Sequence, residues 1–416
     1  MALKTAKGNE ERAAIFQRMG DAYKEIGKEG KALVCYEQAV EVGGDDVGLV
    51  LKYSDLVGMS GDFAKAIAFL GGAIAKARTA KAKARLQAKL AYHIRQSGQF
   101  EEAKRTGETA LEALRAMDQN DKEVIQSMAE ATNIVGICYS ELGRIDEMRE
   151  AFERAHGLFK KVGDIDGMTR TKSNMGVILL ERGDIDTALS CFEEALRTSK
   201  SMPEEPFKGM IINHIGMVHH LRGEFDEAER CFKDGIALEK VQIRKFGVVI
   251  SQVDLADMYA DKGDLVKAKS WADLALNGVK SVKDNPRESW VLCVVAKIAL
   301  KQGDLKGAET AVERALQLAT EHKVARAIAL AFRLTGIIAM TRGDMKKAER
   351  DIRKSIEMYE HTYYKVELAR SRMHLASVLM ARGATSEAKR EAEQARTAFN
   401  QIGAKVDLVT LDAMGF

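Results

Sequence analysis

Three histidines, His214, His219 and His220, crowd into one short stretch, and the first chemistry they suggest is a metal centre. Their separations of five, six and one do not serve it. Ligands on one helix must recur every three or four residues to share a face, so these three rings point apart. His219 stands where neighbouring segments carry a buried aromatic, so one packed histidine and two at the surface are expected. Glu153-x-x-His156 has the spacing of a carboxylate-bridged metal pair, but it occurs once and without companion carboxylates. The five cysteines include no CxxC pair. Cys35, Cys191 and Cys231 each follow a glycine by eight residues, with Trp271 in the same slot after Gly263, and are expected to be structural thiols. No GxSxG, HExxH or GxxxxGK[ST] occurs; "GKEGKALV" and "FLGGAIAKA" read as turn and small-residue sites. The expectation is a protein without catalytic residues, metal or cofactor.

Charge narrows the partners. Lys and Arg total 64 against 61 Asp and Glu, a net charge of +3 on 416 residues, which exerts little pull on nucleic acid or lipid. The basic run "KARTAKAKAR" at 76–85 has no interleaved aromatics for base stacking and fits a solvated helix end. No apolar run is long enough to span a membrane, and "MALKTAKGNEERAA" lacks the apolar core of a secretory signal. A cytoplasmic protein with neither nucleic-acid nor membrane partners is expected.

The elements that would position any site show in a repeat. Glycines recur at 27, 61, 98, 143, 183, 223, 263, 303, 343 and 383; the last six intervals are all 40. Seven residues before each glycine the side chain is small, as at Gly20, Gly136, Gly176, Gly216 and Gly336. Five after it stands alanine, as at Ala188, Ala228 and Ala268, with Met148 the exception; twelve after it the residue is small again. Apolar residues at three- and four-residue spacing mark amphipathic helices on both sides. The glycine ends one helix in the left-handed conformation, and the following Asp can cap the next. Each unit is a helical hairpin that buries its apolar face only against its neighbours. With only three prolines and 6% aromatics, the fold class is all-α.

Small at 8, aromatic at 11, Gly at 15, Ala at 20, Phe or Tyr at 24 and Ala at 27 resembles the tetratricopeptide repeat, over about residues 12–400. The consensus Trp at position 4 is absent, and Gly107 and Ala392 replace aromatics. Forty-residue repeats of this kind are similar to those of LGN/Pins-type adaptors and of the sensor arms in MalT-like bacterial regulators. The resemblance implies a solenoid, an alpha-alpha superhelix of about ten hairpins, with a concave groove that binds a peptide or partner protein. That is the job of a non-enzymatic scaffold. The alternative is a signal- or ligand-responsive regulator that acts on a separate effector. Three hairpins are expected in 1–116, seven in 117–400 and a capping tail in 401–416, where Val406, Leu408, Val409 and Leu411 offer apolar cover.

Repeat register also selects the inner face. Position 5 gives Asn133, Ser173 and Asn213; position 6 gives Asn174, His214 and Asp254; position 9 gives Ile137, Val177 and Met217; position 12 gives Leu180 and His220; position 2 gives Met210. Amides can pair with both backbone groups of an extended peptide, and methionine adapts to varied side chains. The expected groove therefore comprises Asn133, Ile137, Asn174, Val177, Leu180, Asn213, His214, Met217 and His220. The carboxylate clamp of some relatives needs Lys and Asn where the first repeat has Gln17 and Asp21, so that clamp is not expected.

Overall fold

The computed structural model describes residues 8–43, 46–59, 62–142, 144–201, 207–241, 245–281, 285–360, 362 and 364–416. Turn glycines Gly61 and Gly143 and prolines Pro203 and Pro206 lie outside the described residues. Among the described residues ten hairpins follow one another. They are α1 (Asn9–Glu25) with α2 (Glu29–Glu41), α3 (Val47–Met59) with α4 (Phe63–Lys76), and α5 (Ala80–Gln96) with α6 (Phe100–Arg115). Next come α7 (Lys122–Glu141) with α8 (Ile145–Val162), α9 (Ile165–Glu181) with α10 (Ile185–Ser199), and α11 (Lys208–Leu221) with α12 (Phe225–Val241). The last four are α13 (Lys245–Lys262) with α14 (Leu265–Ser281), α15 (Asn285–Lys301) with α16 (Leu305–Glu321), α17 (Ala325–Thr341) with α18 (Met345–Glu360), and α19 (Lys365–Ala381) with α20 (Thr385–Ile402). A short helix, α21 (Lys405–Ala413), follows, and no strand occurs among the described residues.

The glycine and alanine slots act as the spacing implies. Gly183 and Gly223 have φ of 88° and 74°, the left-handed region that suits glycine at a helix end. The next Asp caps the following helix at Asp62, Asp264, Asp304 and Asp344. A Cβ on Gly176 would come within 2.6 Å of the Phe192 ring, and one on Gly216 within 2.8 Å of Phe232. The small residue of the first helix is therefore the seat of the aromatic of the second. Gly107 departs from the pattern because the next hairpin fills its space: a Cβ there would lie 2.7 Å from Val135. Ala228 is fully buried in the same way. Ala228→Leu should cost about 1–3 kcal/mol through overpacking; an unchanged urea midpoint would refute this register.

Pro286 sits in the first turn of α15, where its missing N–H removes no helix bond.

The chain divides into two compact units between Met168 and Thr169. Leu111 and Leu114 of α6 share one core with Val124, Met128 and Val135 of α7. In the first unit the basic run is partly neutralised, since Lys81 and Arg85 pair with Asp121 and Glu123 at the start of α7. Asp21 is used internally, accepting from Tyr36 at 2.6 Å and Lys52 at 2.8 Å.

His93 of this unit is fully buried against Gly58, and neither ring nitrogen has a partner. Burial pushes its pKa down from 6.5 to about 4. Between those values the unfolded chain holds the extra proton, so His93 should cost stability as pH falls from 6.5 toward 4, by up to about 3 kcal/mol. In His93→Leu that part of the acid sensitivity should vanish. Hydrogen exchange of α5 across this pH range is the check, and equal slopes in both proteins would refute it.

The second unit closes on itself. Its cores run continuously from Ala228 to Ile298, from Leu292 to Ile338 and from Ala339 to Ala388. At the far end Ile402 is seated on the Gly183 turn so closely that a Cβ there would overlap it. Lys405 and Val406 lie beside the Gly223 turn, and α21 packs on α11. The tail covers less with its own side chains than expected: Leu411 is buried, Val406 and Leu408 are half-buried and Val409 is exposed. Phe416 packs instead on the core of the last two hairpins.

Candidate functional site

Forty-residue spacing stacks the first helices of the second unit in register, so the same repeat positions point inward from each. Met217, Asp257, Lys297 and Ile337, forty residues apart, all face one cavity of about 270 Å³. Its wall is formed by α9, α11, α13, α15, α17 and α19, and α21 adds Val406, Asp407 and Thr410. Trp290, Leu330, Leu334 and Met373 supply apolar surface.

The rest of the wall is charged, and the charges are matched across helices. Arg326 reaches from α17 to Glu181 of α9 at 2.7 Å, which ties hairpins far apart in sequence. Lys297 pairs with Asp257 at 2.7 Å and Asp261 at 2.9 Å; Lys301 and His220 also meet Asp261. Arg333 holds Glu367 at 2.6 Å, and Arg370 bridges Glu367 and Asp407, both at 2.8 Å. Burial works to raise Glu367, but Arg333, Arg370 and Arg326 outweigh it and hold the carboxyl well below its usual range. His374 is pushed down to about 3 by burial, with Arg333, Lys297 and Arg370 adding to the effect. Asp254 goes the other way: burial raises it to about 7, opposed by a 2.7 Å hydrogen bond from Asn213. Among the described residues no three His, Cys, Asp or Glu side chains are grouped as metal ligands.

Of the residues selected by register, Leu180, Met217 and His220 line this cavity. Asn213 lies just behind the wall, where its amide donates to Asp254. His214 is half-buried, stacked on Phe192 with Ser173 3.4 Å away, and burial lowers its pKa to about 4. Asn174 and Val177 are half-buried and outside the wall. Asn133 and Ile137 belong to the first unit, the former buried and the latter half-buried. The packed histidine of the trio is His220 and not His219, because His219 bonds Glu224 on the turn at 2.5 Å. Asp257, Lys297, Arg333, Arg370 and His374 were not selected, yet they occupy the same inner positions one to four repeats further on. Carrying the register past Gly223 finds them.

Tetratricopeptide repeat models match residues 13–42, 127–201, 167–239, 248–321 and 296–361, together more than half of the chain. The chain belongs to the tetratricopeptide repeat family. No curated protein matches it in sequence. Among solved structures, a Rap protein complexed with competence and sporulation factor covers 80% of this chain and 98% of its own, at 14% identity and TM-score 0.53. A tetratricopeptide repeat sensor protein of the signal transduction ATPases with numerous domains, from Pyrococcus horikoshii, covers 93% of this chain at 14% identity and TM-score 0.53. This chain spans 56% of that one. At such identity the likeness is one of fold. Tetratricopeptide repeats make this an interaction or regulatory repeat protein, and the fold is typically a non-catalytic scaffold. No helix among the described residues is long and apolar enough to cross a membrane.

Proposed function

We propose that this tetratricopeptide repeat protein is a ligand-responsive regulator. A short peptide enters the cavity of residues 169–416, and binding resets the hairpins that a protein partner contacts. The observation that carries this reading is the charge-lined cavity itself, spanned by the Glu181–Arg326 ion pair. An adaptor holding an extended segment needs an open groove. Here Glu181 and Arg326 meet across the interior, and Ile402 and α21 seal the first turns. At about 270 Å³ the cavity is at the small end for ligand sites, so it suits a short ligand. Leu180, Met217 and His220 contact the ligand in this reading. The Pyrococcus horikoshii protein with a tetratricopeptide repeat sensor, and the Rap protein complexed with competence and sporulation factor, share this fold, which supports the reading.

Trp290 lines the cavity, and Trp271 is the chain's only other tryptophan. In a Trp271→Phe background, randomised short-peptide pools should change Trp290 emission saturably, and Met217→Glu should abolish the change. If no pool alters Trp290 emission or the hydrogen exchange of α11, α13 and α15, the reading fails.

A further inference from the structure

Six carboxylates face the cavity: Glu181, Asp254, Asp257, Asp261, Glu367 and Asp407. Five have a cation within pairing distance, supplied by Lys297, Lys301, Arg326, Arg333 or Arg370. Asp254 does not. It is 7% exposed, and its one partner is the neutral amide of Asn213. The Asn213 carbonyl oxygen is itself buried and without a partner. Asp254 thus faces the cavity with no cation of its own, and a spare amide oxygen lies just behind it. All five cations, by contrast, are already engaged. The cavity can accept a positive group without breaking a pair, whereas an anion would have to displace one.

We propose that Asp254 is the anchor for a cationic group of the ligand, an alkylammonium or guanidinium, so that the cavity selects short peptides carrying a positive charge. The inference rests on the cavity being the ligand site. A buried carboxylate without a counter-charge is unfavourable, and burial raises the pKa of Asp254 to about 7, which favours the neutral acid while the site is empty of cations. Burial is the main cause, and neighbouring Asp257 adds to it; His220 and Arg326 oppose it from α11 and α17. An arriving cation stabilises the ionised form, so binding expels a proton and affinity rises with pH through the neutral range. A buried charge pair of this kind also discriminates strongly, because its loss leaves one charge buried and alone.

The test uses the full chain with Trp271→Phe and short-peptide pools in which one position is fixed as Arg, Lys, Gln or Glu. Each pool is prepared with free and with acetylated amino termini, which separates a side-chain cation from a terminal ammonium. Cationic pools should bind more than about tenfold tighter than Gln pools, and tighter at about pH 8 than at about pH 6. Asp254→Asn keeps the side-chain shape and still accepts from Asn213; in it both the preference and the pH step should disappear. Asp254→Leu gives the same reading if the first variant loses its helical signal. Cation preference that survives in both variants overturns the anchor. Binding without charge preference overturns it too, while leaving the cavity as the ligand site. If no pool of any charge is bound, the cavity reading falls and takes the anchor with it.

Discussion

Arg370→Leu should destabilise the second unit by about 3–5 kcal/mol, the usual cost of removing one partner from a buried ion network. Arg370 holds Asp407 through two bonds of 2.8 and 3.0 Å and Glu367 through one of 2.8 Å. Without it Glu367 keeps Arg333, but Asp407, 5% exposed, has no other cation among the described residues. The loss should therefore fall on α21, whose amides should exchange faster well before the rest of the unit. The double variant Arg370→Leu with Asp407→Leu should recover most of the stability, because two apolar side chains replace an ion pair with little loss. Urea unfolding of the three proteins measures this. A double variant as weak as the single one would show that the network is not what holds the tail.

Gly183→Val and Gly223→Val should differ, although both glycines end equivalent helices at similar positive φ. The left-handed backbone alone costs a Cβ roughly 1–2 kcal/mol. At Gly223 the nearest atoms to a new Cβ, on Val406 and Lys405, are 3.8 and 3.9 Å away, so little more is expected. At Gly183 the same atom would overlap Ile402, adding roughly 1–3 kcal/mol of overpacking and forcing α20 away from the first turn of its own unit. Ile402→Ala should relieve the second part in the Gly183 variant and do nothing for the Gly223 one. Equal thermal shifts for the two glycine variants would mean that the closure contributes nothing.

The hairpins were legible because their causes are local. A glycine that must take a left-handed turn, an alanine that cannot grow and a glycine that seats a phenylalanine recur with the helix, so counting residues finds them. Inner positions were legible for the same reason, and Leu180, Met217 and His220 follow from register alone. What register lacks is distance across the superhelix. That Glu181 would meet Arg326, or Ile402 the Gly183 turn, depends on the pitch accumulated over four or five hairpins, which no single repeat encodes. The amide ladder shows the limit from the other side. Asn213 occupies the inner position expected of it, but Asp254, one repeat away and one position on, engages its amide. The placement of Asn133 outside the wall likewise reflects where the chain divides, at Met168, which follows from packing and not from a change in composition.

Ile402 resting on the Gly183 turn has a consequence for how such a protein can change over generations. An open stack tolerates duplication or loss of a hairpin, since each new unit simply lengthens the rod. Here one added forty-residue module would carry the last hairpin past its docking place, and one fewer would leave it short. Copy number in residues 169–416 is thus held as a propeller's blade number is held, by the need to join up. New ligand preferences would have to arise by point substitution at wall positions such as 254, 297 and 333.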